Sequence, residues 1–205
     1  MEESKFEEHP SGGDDETETK RSGFFAEAWE IAKVLVISAA VVLPIRYFIA
    51  QPFIVRGASM EPNFQDRQYL IIDEISYYLR TPKRGEAIVF HYPKDPSEFF
   101  IKRIIGLPRE KVEITGGKVK IFNAAYPEGF TLDEEYLNPP NHPTRPDSAV
   151  TLGDSQYFVL GDNRDFSSDS RFWGVLDKKF MVGRVVFRAW PADRFGTIQD
   201  NQFSF

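Results

Sequence analysis

Three stretches of the 205-residue chain carry side chains whose types and spacing suit chemistry. The first is Gly57-Ala58-Ser59-Met60-Glu61-Pro62. Glycine and proline on either side of a serine favour a tight, exposed turn that presents a hydroxyl together with its own N–H. Read alone, the same residues also make an ordinary surface turn. The second, Phe99-Phe100-Ile101-Lys102-Arg103-Ile104-Ile105-Gly106-Leu107-Pro108, places two adjacent cations inside an apolar strand. Alternation assigns Phe100, Lys102 and Ile104 to one face and Phe99, Ile101, Arg103 and Ile105 to the other. At least one cation must then enter apolar surroundings or find a partner, unless this is an edge strand whose lysine discourages aggregation. The third, Gly161–Gly174, is dense in carboxylates, guanidinium groups and hydroxyls directly after an apolar strand. Such a loop either supports a neighbouring group or bonds only to itself. A calcium loop opening at Asp165 fails, because its twelfth position is Leu176 rather than Glu.

Short β-branched and aromatic runs, punctuated by Gly and Pro, must position these stretches. Strands are expected at Gln68–Asp73, Glu86–Tyr92, Phe99–Gly106, Lys111–Ile114, Lys118–Phe122, Gln156–Leu160 and Gly183–Trp190. Thr115-Gly116-Gly117-Lys118 reads as a hairpin turn. No helical period of useful length follows Ala50. The expected fold is therefore mainly β, a partly closed antiparallel sheet domain over residues 51–205. A proline-rich stretch at about 131–151 (Pro139, Pro140, Pro143, Pro146) is expected to be a surface loop, with His142 exposed in it.

Ahead of this domain, Trp29–Ala50 is apolar, with a charge-free centre at Val34–Ile45 flanked by Lys33 and Arg46. The centre is shorter than the ~20 residues of a usual span. Trp29, Tyr47 and Phe48 supply interfacial rings, and the two cations can snorkel, so one tilted or Pro44-bent transmembrane helix within residues 23–50 is expected. Flanking charge does not decide its direction. Residues 1–22 hold eight acids against three bases and are expected to be a disordered acidic tail. The remainder is nearly neutral, with 23 acids and 22 bases, and nothing in it suggests the basic face of a nucleic-acid binder. There is no cysteine, and the three histidines lie far apart. A disulfide scaffold, a thiolate zinc site, a cysteine nucleophile and a His-Glu-x-x-His metal hydrolase are thereby set aside, and neither metal nor cofactor is expected.

Taken together and in this order, Ser59-Met60-Glu61-Pro62, Lys102–Pro108 and Gly161–Gly174 resemble the type I signal peptidases, membrane-bound leader peptidases of the Ser/Lys class. The resemblance runs from about Trp29 to Phe195. It implies a serine endopeptidase that cuts signal peptides from secreted preproteins after small residues at −1 and −3, with Ser59 as nucleophile and Lys102 as general base. It also implies that Ser167 orients the lysine amine, and that Asp169 and Arg171 form a supporting ion pair. Asp162 is expected to steady the loop through Arg103. The Ser59 N–H is the expected oxyanion donor. Some members add a hydroxyl two residues earlier, where this chain has Gly57, which offers no side-chain donor; either a backbone donor, with Gly57 a candidate, or a water replaces it, or the hole has one fewer contact. An extended peptide would lie along Phe53–Gly57 and Phe99–Lys102, with Phe53, Val55, Phe100 and Ile101 walling its pockets. The resemblance further implies a monomeric, single-pass plasma-membrane protein, its N-terminus cytoplasmic and its catalytic domain extracytoplasmic, with preproteins and the lipid bilayer as its partners. Two other readings of the chain are a Ser/Lys autopeptidase and a membrane-tethered β domain without catalysis.

Overall fold

The computed structural model describes residues 29–42, 50–200 and 203. The acidic tail and the segment holding Pro44, Arg46, Tyr47 and Phe48 lie outside the described residues. Residues 29–42 form helix α1, with Lys33 paired to Glu30 at 2.7 Å and apolar side chains such as Val36 and Ile37 exposed. Among the described residues, no helix is long and apolar enough to cross a membrane.

The body that follows is built from twelve antiparallel strands in two sheets. The larger contains β1 (Ala50–Ile54), β2 (Tyr69–Asp73), β3 (Ala87–Tyr92), β4 (Asp95–Gly106), β9 (Gln156–Leu160), β10 (Leu176–Asp177) and β11 (Met181–Trp190). Its order is β1-β2-β11-β3-β4-β9-β10, and β12 (Gly196–Thr197) pairs with β11. The smaller sheet runs β7 (Phe130–Thr131), β6 (Lys118–Phe122), β5 (Lys111–Thr115), β8 (Ser148–Thr151). Gly116 and Gly117 close the β5–β6 hairpin, whose last pair is Thr115 with Lys118. Helices beyond residue 50 are single turns, α2 (Ser76–Leu79) and α3 (Ser170–Trp173).

Strand β3 explains the packing. Its two faces are both buried: Ile88 and Phe90 join Ile104, Tyr157, Val159 and Leu176, whereas Ala87 and Val89 join Val55, Met60, Phe64, Leu70, Ile72 and Val185. A strand covered on both sides reads as a continuous apolar run, which Ala87–Phe90 does. A third cluster, including Ile105, Val112, Ile121 and Leu160, binds the smaller sheet to the larger.

The larger sheet must be strongly curled. Three strands separate β1 from β4. A flat sheet would hold those two backbones about 19 Å apart, with side chains standing normal to it. Instead the rings of Phe53 on β1 and Phe99 on β4 meet edge to face at 5.3 Å. The sheet thus folds its β1 edge back over β4 and leaves a cleft between them.

Two expectations need correction. Ala50 and the residues after it form an edge strand, and Pro52 is compatible with that position because an edge residue can do without a ladder donor. The stretch 131–151 is not merely a surface loop. It contributes β8, and Glu134 and Thr144 are fully buried because both engage the guanidinium of Arg164.

Candidate active site

Ser59 sits on a loop between β1 and β2. The loop is tied shut at its base, where Val55 N–H donates to Gln68 O and Arg67 N–H donates to Val55 O, each at 2.9 Å. Met60 and Phe64 plug into the core beneath it and fix its height. Gly57 has φ +83°, a backbone region open to glycine at little cost, and its N–H donates to Asp66 Oδ1 at 2.8 Å. Between these anchors Ser59 is half-buried.

Lys102 approaches from β4. Its Nζ donates to Ser59 Oγ at 2.7 Å and to Ile101 O at 2.9 Å, and it lies 5.3 Å from the centroid of the Phe100 ring. The residue is 4% exposed, and among the described residues no carboxylate bonds to it. Burial pushes its ammonium down to about 8, against weaker pulls in the other direction from Asp169 and Asp162.

Those two carboxylates are kept from the lysine by guanidinium groups. Asp162 takes Arg103 in a two-point pair at 2.8 and 2.5 Å, while Arg103 also donates to Gly85 O and lies over the Tyr136 ring. Arg103 therefore turns to an acid while Lys102 turns to the serine, as the alternation of β4 requires. Asp169 takes Arg171 in a second two-point pair, both contacts at 2.8 Å, and also accepts the Gly161 N–H. A third buried pair, Arg164 with Glu134, completes the support, and Arg164 donates to Gly161 O as well.

Gly161 is where the loop meets Ser59. A Cβ there would collide with Ser167 Oγ and the Ser59 carbonyl, so the close approach admits glycine only. Ser167 itself is buried, and its Oγ has no hydrogen-bond partner among the described residues. A buried hydroxyl left unpaired is unfavourable.

The cleft beside the Ser59–Lys102 contact encloses about 560 Å³. Phe53, Val55, Phe100 and Ile101 all line it, with Leu70 and Val89 added from β2 and β3. Sequence reasoning missed those two, since nothing in a core-like Leu or Val announces a pocket floor. It also missed Glu134, Asn63 and Asn163. Asn63 donates to Asp162 Oδ2 and Tyr136 O, and Asn163 donates to the loop carrying Ser59. His142, expected to be exposed, is half-buried with Nε2 3.3 Å from Asp165.

A hydroxyl touching a buried, uncompensated amine at the wall of an apolar cleft is an arrangement for nucleophilic attack without histidine or cysteine. Comparison with known proteins agrees. The family model described as "Signal peptidase, peptidase S26" matches residues 28–190. A protein of Synechocystis sp. named "Probable signal peptidase I-2" is 38% identical over 192 residues, covering 91% of this chain and 84% of its own. "Signal peptidase I" of Leptolyngbya laminosa is 38% identical over 174 residues, 81% of each chain. "Signal peptidase IB" of Staphylococcus aureus is 32% identical over 180 residues, 78% of this chain and 90% of its own. By these likenesses the chain belongs to the signal peptidase family, peptidase S26, and is a serine peptidase.

Proposed function

We propose that this peptidase removes signal peptides from secreted preproteins with Ser59 as nucleophile and Lys102 as general base. The observation that carries the reading is the 2.7 Å contact between Lys102 Nζ and Ser59 Oγ in a buried, apolar setting. With its ammonium form depressed to about 8, about a tenth of Lys102 is neutral at pH 7, against one in a few thousand for an ordinary lysine.

The neutral amine takes the Ser59 hydroxyl proton as Oγ attacks the scissile carbonyl carbon. The carbonyl oxygen becomes an oxyanion and meets the Ser59 N–H, which has no acceptor among the described residues. Gly57 is not part of this donor set, because its N–H is already given to Asp66. The Lys102 ammonium returns its proton to the departing amine of the mature protein, leaving an acyl-enzyme. A water then attacks the ester, giving its proton to Lys102, and the proton passes back to Ser59 Oγ as the signal peptide leaves. The unpaired Ser167 hydroxyl is suited to accept from the lysine and hold it in line, and the two Asp–Arg pairs keep Asp162 and Asp169 from fixing it as an ammonium.

The substrate enters as an extended strand between Phe53–Arg56 and Phe99–Lys102, with the side chains at −1 and −3 entering the cleft walled by Phe53, Val55, Phe100 and Ile101. A floor of Leu70 and Val89 suits alanine-sized groups. The apolar segment ahead of β1, from Trp29 to Ile49, anchors the protein in the plasma membrane, with its acidic tail cytoplasmic and its catalytic body outside.

The test is cleavage of one preprotein with alanine at −1 and −3 by the full chain in detergent. Ser59→Ala and Lys102→Arg are expected to stay folded by circular dichroism and to lose cleavage, arginine being unable to deprotonate. Full cleavage by Lys102→Arg would remove Lys102 as the base. Unfolding of both variants would make the residues structural.

A further inference from the structure

Resting on that catalytic reading, a further residue of the Gly161–Gly174 loop acquires a task. We infer that Asn163 is a positioning residue that fixes the plane of the Ala58–Ser59 peptide and so aims the Ser59 N–H at the oxyanion. The Asn163 side-chain Nδ2 donates to Ala58 O at 3.1 Å, and its backbone N–H donates to Ser59 O at 3.1 Å. One asparagine thus holds the carbonyls on both sides of the nucleophile's Cα. Because Ala58 O can only accept, the amide must face it with nitrogen.

The geometry of a trans peptide does the rest. The Ala58 carbonyl and the Ser59 N–H belong to one plane and point in opposite directions, so anchoring the oxygen sets the direction of the hydrogen. Donation to the carbonyl also polarises the peptide and strengthens its N–H as a donor. The second donor to Ala58 O is the Glu61 N–H at 3.1 Å, which belongs to the same turn and moves with it. Asn163 is the contact that ties the plane to a separate, rigid element. That element is braced by the buried Arg103–Asp162 and Arg164–Glu134 pairs on the residues flanking Asn163.

The position matters more here because the donor set is small. Gly57 has no side chain to offer, and its N–H is spent on Asp66. The donor assigned here is the Ser59 N–H, so its aim decides how well the oxyanion is met.

The experiment compares wild type, Asn163→Ala and Asn163→Asp as full chains in detergent, measuring kcat and KM on one preprotein across pH. Both variants are expected to lose about tenfold to a hundredfold in kcat at the high-pH plateau, less than the 10²–10³ of deleting an oxyanion donor outright, with KM changed less than threefold. Asn163→Asp keeps the shape but sets an acceptor against an acceptor, so it should fall at least as far as Asn163→Ala. A peptide aldehyde ending in alanine, which Ser59 converts to a tetrahedral adduct, should lose affinity in step with kcat. Binding of an uncleavable signal peptide should not change. Wild-type plateau kcat in both variants, a loss confined to KM, or a near-normal Asn163→Asp beside a crippled Asn163→Ala would each overturn the inference. Where Asn163→Ala unfolds, the isosteric Asn163→Asp carries the test. Ser59→Ala sets the baseline: if wild type cleaves no better than it, the enzyme reading has failed, and if wild type cleaves but the Asn163 variants match it, only this inference falls.

Discussion

Lys102 is costly to bury as a cation, and the proposed chemistry rests on it. A depression of its ammonium from 10.5 to about 8 corresponds to about 3 kcal/mol of strain on the charged folded form. The sign follows from proton counting. Below pH 8 both folded and unfolded chains hold the proton, and the folded state bears the full penalty. Between pH 8 and 10.5 the unfolded chain binds more protons than the folded one, so stability from this group rises with pH. Lys102→Met, which fills the same space without charge, is therefore expected to stabilise the protein by up to about 3 kcal/mol at pH 6.5. The gain should fade toward pH 10.5. Urea denaturation of both proteins at the two pH values checks this; a variant less stable than wild type at pH 6.5 would mean the amine is a net structural asset. With Lys102 as the proposed base, the same lysine would set the activity profile. Wild-type kcat/KM should rise about tenfold per pH unit on the acid side, then flatten above about 8 as the amine becomes neutral.

At the scale of elements, the site depends on a loop that would be unstable by itself. Gly161–Ser170 contains three buried charges, Asp162, Arg164 and Asp169, each satisfied by a partner of opposite sign. Glu134 comes from the proline-rich stretch and is 3% exposed, so Glu134→Ala leaves Arg164 buried without its carboxylate. Removing one member of such a pair costs about 3–5 kcal/mol, and denaturant unfolding should show it. A cost below 1 kcal/mol would mean that water or another group replaces the carboxylate. The sequence announces Arg164 but not its partner, and the difference is physical. Apolar runs or alternations are legible in β2, β3, β5, β6, β9, β11 and the second half of β4, because burial of one or both faces leaves its pattern in the sequence. Strands β7, β8, β10 and β12 are not, being pieces of two to four residues, nor is β1, an edge strand that directly follows the apolar segment. Ser59 and Lys102 stood out by local oddity. Asn163 did not, since its meaning lies in a carbonyl 105 residues away.

Over the body as a whole, the curl of the larger sheet creates the cleft and also leaves it unfinished. Its walls, β1 and β4, face each other across the opening without pairing. Strand β4 pairs with β3 from Phe99 to Arg103, but β9 joins it only from Arg103 onward, so alternate peptide groups before Arg103 have no ladder partner on that side. Among the described residues, strand β1 has β2 on one side and no strand on the other. Two unfilled ladders at the rim of one apolar cleft are what an extended peptide can complete, and main-chain pairing there would recognise any sequence whose side chains fit the pockets. This makes binding and specificity separable. When an uncleavable signal peptide binds to Ser59→Ala, amide hydrogen exchange should slow in residues 53–56 and 99–102 and stay unchanged in β5 and β6 of the smaller sheet. Replacing alanine at −1 of that peptide by a bulky side chain should abolish the protection, because the side chain cannot seat and the strand cannot reach its register. Protection that persists with the bulky peptide would show that the pockets do not select. Protection appearing elsewhere would move the substrate out of the β1–β4 cleft, and with it the premise that curling the sheet built the binding site.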